Sequence, residues 1–164
     1  MKITVTPAPG DRRRRKPESG EKLGFGNHFS DHMFLMEYAQ GKGWCDPRIV
    51  PYGPLSVAPS AMVLHYGQEI FEGLKAYYAG DGSVCLFRPD RNAERLNRSA
   101  ERLCMPEIPV ADQIQAIRDL VRLDREWIPR ARGASLYIRP AMIGTEAGLG
   151  VRPSAEYLFF VITG

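Results

Sequence analysis

The sequence predicts an α+β fold, with a mostly antiparallel sheet and helices packed against it. Two observations carry this prediction. Short strand-like segments are joined by glycine turns, and the helix-like segments are grouped instead of alternating regularly with the strands. Regular alternation would indicate βαβ units and a parallel sheet. The chain has 164 residues, of which 44% are hydrophobic and 25% charged, as expected for a globular protein of about one domain.

The strand predictions rest on short apolar or alternating segments bounded by turn residues. They cover residues 33–38, 48–52, 74–78, 83–88, 134–144 and 156–163. Glycine turns at 41–43 and 79–82 join the first two pairs of strands into hairpins.

Three helices are predicted. The first runs from about residue 60 to 72, with Gly73 at its C-terminal stop. The second, 90–103, has alanines and leucines on one face and the arginine stripe on the other. This stripe consists of Arg91, Arg95, Arg98 and Arg102. The third spans about 111–127.

Residues 1–22 are rich in proline, arginine and glycine and lack apolar periodicity, which predicts a disordered basic tail. The basic run 12–16 could bind nucleic acid or another polyanion. A solvated tail is the preferred interpretation, because no pattern of stacking aromatic residues accompanies the run. We therefore expect one folded domain at 23–164 and no nucleic-acid partner.

The chain is expected to be cytoplasmic. Its three cysteines form no paired spacing, which favours a reducing compartment. The N-terminal segment has no apolar stretch typical of a secretory signal. The longest strongly apolar run, 157–162, is too short to cross a bilayer, so no membrane partner is expected.

Several residues could carry chemistry, and each has a simpler alternative. Tyr137 and Arg139 lie two apart on a predicted strand, so they share a face and could bind a carboxylate. Spacing alone favours a surface arginine paired with a nearby glutamate. An arginine of the stripe could hold a phosphate, although a solvated basic face fits the pattern better. Lys75 could form a Schiff base, but a lysine in a strand usually reaches solvent.

No metal site is predicted. His28, Asp31 and His32 contain possible ligands, but their spacing matches no standard set. Hydrogen-bonded loop residues are the preferred interpretation.

Five segments, taken together, resemble a known family. They are FGNHFSDHM, LHYGQEIFEGLKAY, CLFRPDRNAERLNRSAERL, SLYIRPAMIGTEAGLGV and YLFFVITG. In this order and spacing they are similar to the branched-chain amino-acid aminotransferases, which are pyridoxal-phosphate enzymes of fold type IV. The resemblance covers about residues 23–164 and leaves the first 22 outside. It implies that the chain has the fold of the small N-terminal domain of these enzymes.

The resemblance also implies roles for particular residues. Arg95, on the arginine stripe, would bind the cofactor phosphate. Phe25, Tyr66 and Phe71 would line the substrate pocket. Tyr137 and Arg139 would bind the side-chain carboxylate of glutamate, and Leu149 and Val151 would reach the pocket of the neighbouring subunit in a homodimer. Aromatic walls suit an aliphatic substrate, and an arginine that can withdraw suits a carboxylate.

In the family, the lysine that bonds the cofactor belongs to a second domain, which this chain lacks. Lys75 lies where the family has a non-catalytic lysine, so no catalytic residue is assigned. The resemblance implies a complete enzyme that moves amino groups between leucine, isoleucine or valine and 2-oxoglutarate, forming glutamate. The chain alone is expected to be inactive. The alternative is a free-standing domain that acts in binding or dimerisation without catalysis.

Overall fold

The computed structural model describes residues 1–17, 21, 24, 26–131 and 133–164, except for the side chain of residue 12. The strands are β1 (Thr4–Val5), β2 (His32–Ala39), β3 (Gly43–Pro51), β4 (Glu69–Phe71), β5 (Leu74–Tyr78), β6 (Val84–Leu86), β7 (Leu136–Gly144) and β8 (Glu156–Thr163). The helices are α1 (Met62–Tyr66), α2 (Pro89–Arg102) and α3 (Val110–Leu123), and short 3-10 helices occupy Gly10–Arg12 and Arg125–Trp127.

The eight strands of the described residues form one sheet in the order β1-β3-β2-β8-β7-β5-β6, and β4 pairs with β7 beside β5. Every pairing is antiparallel except that of β1 with β3. The predicted α+β class and the two glycine-turn hairpins are therefore confirmed. Strand β8 lies at the centre, between β2 and β7, and its apolar sequence is that of a strand covered on both faces.

Helices α2 and α3 cover one face of the sheet. Leu96 of α2 and Leu120 of α3 are fully buried, and they belong to one apolar cluster with Ile138 and Phe159 of the sheet. Burying a leucine side chain contributes about 1.5–3 kcal/mol, so this face supplies most of the hydrophobic stabilisation. A smaller apolar cluster, which includes Leu35 and Leu158, lies on the opposite face. This smaller cluster covers only part of the second face, and a groove opens on the remainder.

The predicted helix at 60–72 is wrong in length. Helix α1 ends at Tyr66 because Gly67 adopts a left-handed conformation, with φ of 60°, and its N–H donates to the Val63 carbonyl. The chain then reverses, and β4 pairs with β7 so that Ile70 lies opposite Met142. Gly73 therefore does not stop a helix. The third predicted helix is also shorter, ending at Leu123 before a separate 3-10 turn.

The first 17 residues differ from the predicted disordered tail. Strand β1 adds in parallel to the edge of β3, where Val5 lies opposite Ile49. Further along, the N–H of Ala8 donates to Nε2 of buried His32 over 2.8 Å, and the N–H of Arg14 donates to Asp31 over 2.7 Å. Backbone groups make these contacts, so a composition poor in apolar residues does not reveal them. We call residues 1–17 the N-terminal arm.

The basic run also contacts the body of the protein. The Arg14 guanidinium lies 4.2 Å from the centre of the Tyr52 ring, and Lys16 forms an ion pair with Glu126. Among the residues that the structure describes, no helix has the length and apolar content needed to cross a membrane.

Candidate functional site

Tyr137 and Arg139 lie side by side on the sheet face opposite α2 and α3. Both belong to β7, and their i,i+2 spacing places them together as predicted. Arg139 Nη2 donates to the Tyr137 hydroxyl over 2.9 Å. The guanidinium carbon also lies 4.3 Å from the centre of the Phe71 ring, which β4 places opposite Ala141. The arginine is therefore held by an aromatic face and a phenol instead of by a carboxylate.

One donor of Arg139 has no acceptor. Its Nε is buried and makes no hydrogen bond within the described part of the chain. A buried donor without a partner costs about 1–3 kcal/mol, and more when it is charged. Arg139 is thus suited to receive an anionic group from outside the chain.

A groove of about 220 Å³ opens beside this arginine. Its lining residues come from β7, the end of β8 and the segment that precedes β2: Gly26, Phe29, Tyr137, Arg139, Ile162, Thr163 and Gly164. We call it the Arg139 groove. It combines apolar walls with a single guanidinium, so it could accept either an aliphatic or a carboxylate side chain.

The corner between β4 and β5 holds a buried carboxylate, that of Glu72, whose side chain is 5% exposed. Arg95 Nε donates to Oε1 over 2.5 Å, and Arg95 Nη2 donates to Oε2 over 2.8 Å. Asn92 Nδ2 and the Gly73 N–H also donate to Oε2. Burial raises the pKa of Glu72, but hydrogen bonds from Arg95, Asn92 and Gly73 together lower it below its ordinary value. The carboxyl group is therefore ionised.

Gly73 connects this corner to the Arg139 groove. A Cβ at this position would lie 2.2 Å from the Tyr137 hydroxyl oxygen, a distance that no side chain tolerates. Because Gly73 has no side chain, the Tyr137 hydroxyl can occupy the position in which it accepts the hydrogen bond from Arg139.

A second group of predicted site residues consists of Leu149 and Val151, on the loop between β7 and β8, and Tyr66, which contacts that loop. Tyr66, at the end of α1, donates its hydroxyl to the Leu149 carbonyl. Leu149 and Val151 are 66% and 85% exposed. These apolar side chains at a loop tip lack a cover within the described residues, as expected of a surface that meets another protein.

This loop, residues 145–155, is fixed at its base. Arg152 forms a bidentate ion pair with Glu146, whose carboxylate also accepts the Ala155 N–H. Hydrogen bonds from these two groups lower the pKa of Glu146 to about 2. Gln68 donates to the Arg152 carbonyl over 2.6 Å and accepts the Ser154 N–H over 3.0 Å. The loop therefore has a defined shape that presents Leu149 and Val151 outward.

The structure brings together three of the predicted site residues, Phe71, Tyr137 and Arg139, in direct contact. It places Tyr66 against Leu149, and it places Arg95 on Glu72. Phe25 lies outside the described residues. Lys75 is exposed on β5, opposite Tyr137.

Sequence reasoning missed the residues that position the site. Glu72 was not recognised as the partner of Arg95, and Asn92 and Gln68 were not considered. One signal was available for Glu72, since an acidic residue beside a glycine inside an apolar segment is unusual in a buried strand. Gln68 carries no such signal, because its partners on the β7–β8 loop lie more than 80 residues away.

No metal site is apparent among the described residues, since no three of their His, Cys, Asp or Glu side chains could hold an ion. Instead, His32 and Asp31 take part in hydrogen bonds. Because Nε2 of His32 accepts the Ala8 N–H, Nδ1 carries the proton and donates to Asp124 over 2.6 Å. Asp31 accepts the Trp127 indole N–H and the backbone of the N-terminal arm.

Comparison with known proteins adds curated relatives, although no family model matches the chain. "Branched-chain-amino-acid aminotransferase 2" of Bacillus subtilis is 53% identical over 162 residues, which are 99% of this chain and 43% of that protein. A "probable branched-chain-amino-acid aminotransferase" of Streptomyces coelicolor is 57% identical over 140 residues, 85% of this chain and 39% of that protein. The chain thus spans about two fifths of the length of these relatives.

The Bacillus match also corrects the limits of the resemblance. It leaves at most two of the 164 residues outside, so it extends into residues 1–22. This agrees with an N-terminal arm that packs on the domain and is part of it.

Solved structures share the fold. The branched-chain amino acid aminotransferase of Escherichia coli has a TM-score of 0.58 and 26% identity over 80% of this chain and 38% of its own. A second branched-chain amino acid aminotransferase, from T.th. and solved with pyridoxamine 5'-phosphate, has a TM-score of 0.55 and 26% identity over 77% of this chain and 38% of its own. Sequence and fold together therefore identify the chain as a partial, N-terminal domain of the branched-chain amino-acid aminotransferases, of fold type IV.

Proposed function

We propose that this domain serves an enzyme that moves amino groups between leucine, isoleucine or valine and 2-oxoglutarate, with pyridoxal 5'-phosphate as cofactor. The proposal refers to a protein that also contains the part of the relatives that this chain does not span. The contribution of this chain would be the side-chain pocket and an arginine for the cofactor phosphate. By itself the chain would not transfer amino groups.

The unsatisfied donor of Arg139 is the observation that carries the proposal. The buried Nε of Arg139 belongs to a charged group beside the groove, and no residue of the described chain accepts its hydrogen bond. An anionic substrate that binds and then leaves would provide the missing acceptor while it is bound. The side-chain carboxylate of glutamate or 2-oxoglutarate fits this requirement. Arg139 and the Tyr137 hydroxyl would bind it with two or more hydrogen bonds.

The same groove would accept an aliphatic side chain. When no carboxylate is present, Arg139 rests on the Phe71 ring and on the Tyr137 hydroxyl, as in this structure. The ring stabilises the guanidinium by a cation–π contribution of about 0.5–2 kcal/mol, and the phenol accepts one of its hydrogen bonds. Phe29 and Ile162 then offer apolar surface to leucine, isoleucine or valine. One pocket would thus take two unlike side chains in turn.

Arg95 fits the cofactor phosphate. Its side chain is 60% exposed, and the hydrogen bonds that it donates to Glu72 raise its pKa, so it stays cationic. When bound, pyridoxal 5'-phosphate supplies the electron sink through which the amino group is transferred. Arg95 would hold the phosphate and so orient the cofactor, while Phe71 and Tyr137 would shape the space beside it.

A homodimer is also part of the proposal. Leu149 and Val151 would enter the pocket of the neighbouring subunit, and Tyr66 would fix their loop from behind. The three free cysteines, two of them exposed, support a reducing compartment such as the cytoplasm.

A chimeric enzyme tests the proposal. Residues 1–164 would replace the matching part of the Bacillus subtilis relative, which is similar enough for the two parts to pack together. The chimera should transaminate leucine with 2-oxoglutarate, whereas the 164-residue chain alone should not. A folded, dimeric chimera without turnover would contradict the proposal and favour a domain that acts in binding or dimerisation only.

A further inference from the structure

Glu72 and Arg95 pose a problem for a phosphate site. An arginine that binds phosphate needs free donors, yet Arg95 already makes a bidentate ion pair with a buried carboxylate. Two explanations are possible. Glu72 either competes with the phosphate for Arg95 or holds the guanidinium in the orientation that the phosphate needs.

The geometry favours positioning. Glu72 uses the Nε and Nη2 edge of the guanidinium and leaves the outer edge, with Nη1, without a partner among the described residues. A planar guanidinium has five donors, so one edge can bind a carboxylate while the other binds a phosphate. The exposed Arg95 side chain would otherwise sample many rotamers in solvent.

The surroundings of Glu72 also make it a fixed group. Asn92 Nδ2 donates to Glu72 Oε2 over 2.9 Å and to the Gly73 carbonyl over 3.2 Å, which ties the first turn of α2 to the β4–β5 corner. A competing carboxylate would have to withdraw into solvent when phosphate binds. Glu72 is buried and accepts hydrogen bonds from three residues, so it cannot withdraw without breaking them all.

We propose that Glu72 is a positioning residue for the cofactor phosphate, which it serves by holding Arg95 through the Nε edge so that the outer edge faces the anion. The inference rests on the proposed role of Arg95. It adds a buried acidic residue to a site that binds a dianion, and it assigns Asn92 and the Gly73 N–H to the support of that residue.

The test uses the 164-residue chain with inorganic phosphate as the probe. Phosphate is titrated while the backbone amide resonances of the wild type, Glu72→Gln and Glu72→Ala are followed in nitrogen-15 NMR spectra, and the Arg95 Nε–H resonance is recorded separately where Arg95 is present. Glu94→Gln is the matched control, because Glu94 pairs with a different arginine of the same helix, Arg91, on an exposed surface. Circular dichroism checks that each variant is folded.

If Glu72 positions Arg95, Glu72→Ala weakens phosphate binding by about tenfold or more, because the guanidinium loses the charge-assisted hydrogen bonds that hold it in place and must be ordered by the phosphate itself. Glu72→Gln, which keeps one acceptor oxygen, falls between Glu72→Ala and the wild type, and Glu94→Gln equals the wild type. The Arg95 Nε–H should also exchange with water faster in Glu72→Ala before any phosphate is added.

Two other outcomes overturn the inference. Tighter phosphate binding in either Glu72 variant shows that the carboxylate competes, and unchanged binding shows that it has no role. Arg95→Ala separates these outcomes from failure of the proposed function. If Arg95→Ala leaves phosphate binding intact, the phosphate does not bind at Arg95. The proposed roles of Arg95 and of Glu72 are then both wrong.

Discussion

Gly73 is the residue on which the shape of the groove depends most directly. We expect Gly73→Ala to destabilise the fold by about 1–3 kcal/mol, because the new methyl group must displace the Tyr137 ring. Urea denaturation of the 164-residue chain measures the change. Gly80→Ala is the matched control, since a Cβ there meets nothing within 4 Å. Equal stability of the two variants would show that Tyr137 can move aside freely.

The Tyr137 hydroxyl should matter more for one substrate than for the other. In the chimeric enzyme, we expect Tyr137→Phe to raise KM for 2-oxoglutarate by about fivefold or more, the effect of losing roughly 1 kcal/mol in a hydrogen bond. KM for leucine should change by less than about twofold, since an aliphatic side chain accepts no hydrogen bond from the phenol. Tyr77→Phe, an exposed tyrosine of β5 that makes no hydrogen bond within the described residues, is the control. An equal loss for both substrates would argue for a general packing role.

At the scale of single residues, the sequence predicts which side chains share one face of a strand. It does not predict contacts between residues of different elements. The common face of Tyr137 and Arg139 follows from the two-residue period of a strand, and it is confirmed. The pairing of Arg95 with Glu72 joins α2 to the β4–β5 corner, and no local periodicity encodes such a contact.

Among the elements, α1 depends on its C-terminal glycine. Gly67 has a positive φ but no atom near its missing Cβ, so any cost of substitution comes from backbone strain alone. We expect Gly67→Ala to lose about 1 kcal/mol and Gly67→Asn to lose less, because asparagine tolerates the left-handed region. Thermal denaturation compares the two. Equal losses would mean that the left-handed turn is not what ends the helix.

The loop between β7 and β8 should respond to acid through Glu146. The folded state lowers the pKa of this carboxyl from 4.5 to about 2, so ionised Glu146 stabilises the fold above pH 4.5. That contribution disappears as the pH falls from 4.5 towards 2. The free energy of unfolding of the wild type should therefore exceed that of Glu146→Gln at about pH 7, and the difference should shrink at about pH 3.

Denaturant unfolding at several pH values measures this difference. Glu156→Gln, an exposed glutamate at the start of β8, is the control. A difference between the wild type and Glu146→Gln that does not change with pH would show that the ion pair with Arg152 contributes nothing.

The errors at the level of elements share a physical origin. Residues 60–72 contain enough apolar residues at helical spacing to predict one helix, but a single left-handed glycine divides them into α1 and β4. Strand β4 has only three residues and exists because β7 provides a partner for it. A segment this short has no periodicity of its own, so only tertiary pairing decides its conformation. The longer α2 and β8, with strong patterns, were predicted almost to the residue.

On the scale of the whole molecule, the N-terminal arm is the largest departure from the sequence prediction. Deletion of residues 1–16 should lower the free energy of unfolding by roughly 2–4 kcal/mol, because it leaves buried acceptors on His32 and Asp31 without donors. Replacing Arg13 and Arg15 by serine should change stability by less than about 1 kcal/mol, since both side chains are exposed and the backbone contacts remain. Full stability of the shortened chain would restore the disordered-tail interpretation.

The position of β8 has a consequence for how this domain is made. Among the described residues, β8 alone joins the part of the sheet that contains β1, β2 and β3 to the part that contains β4, β5, β6 and β7. It is also the last of these strands in the sequence, so a ribosome releases it after the other seven. Until then the two parts have no common hydrogen-bonded partner, and the edges of β2 and β7 are open to strands of other chains. Synthesis that pauses before residue 156 would therefore expose the nascent protein to mispairing, and a chaperone that shields β2 would act at this stage.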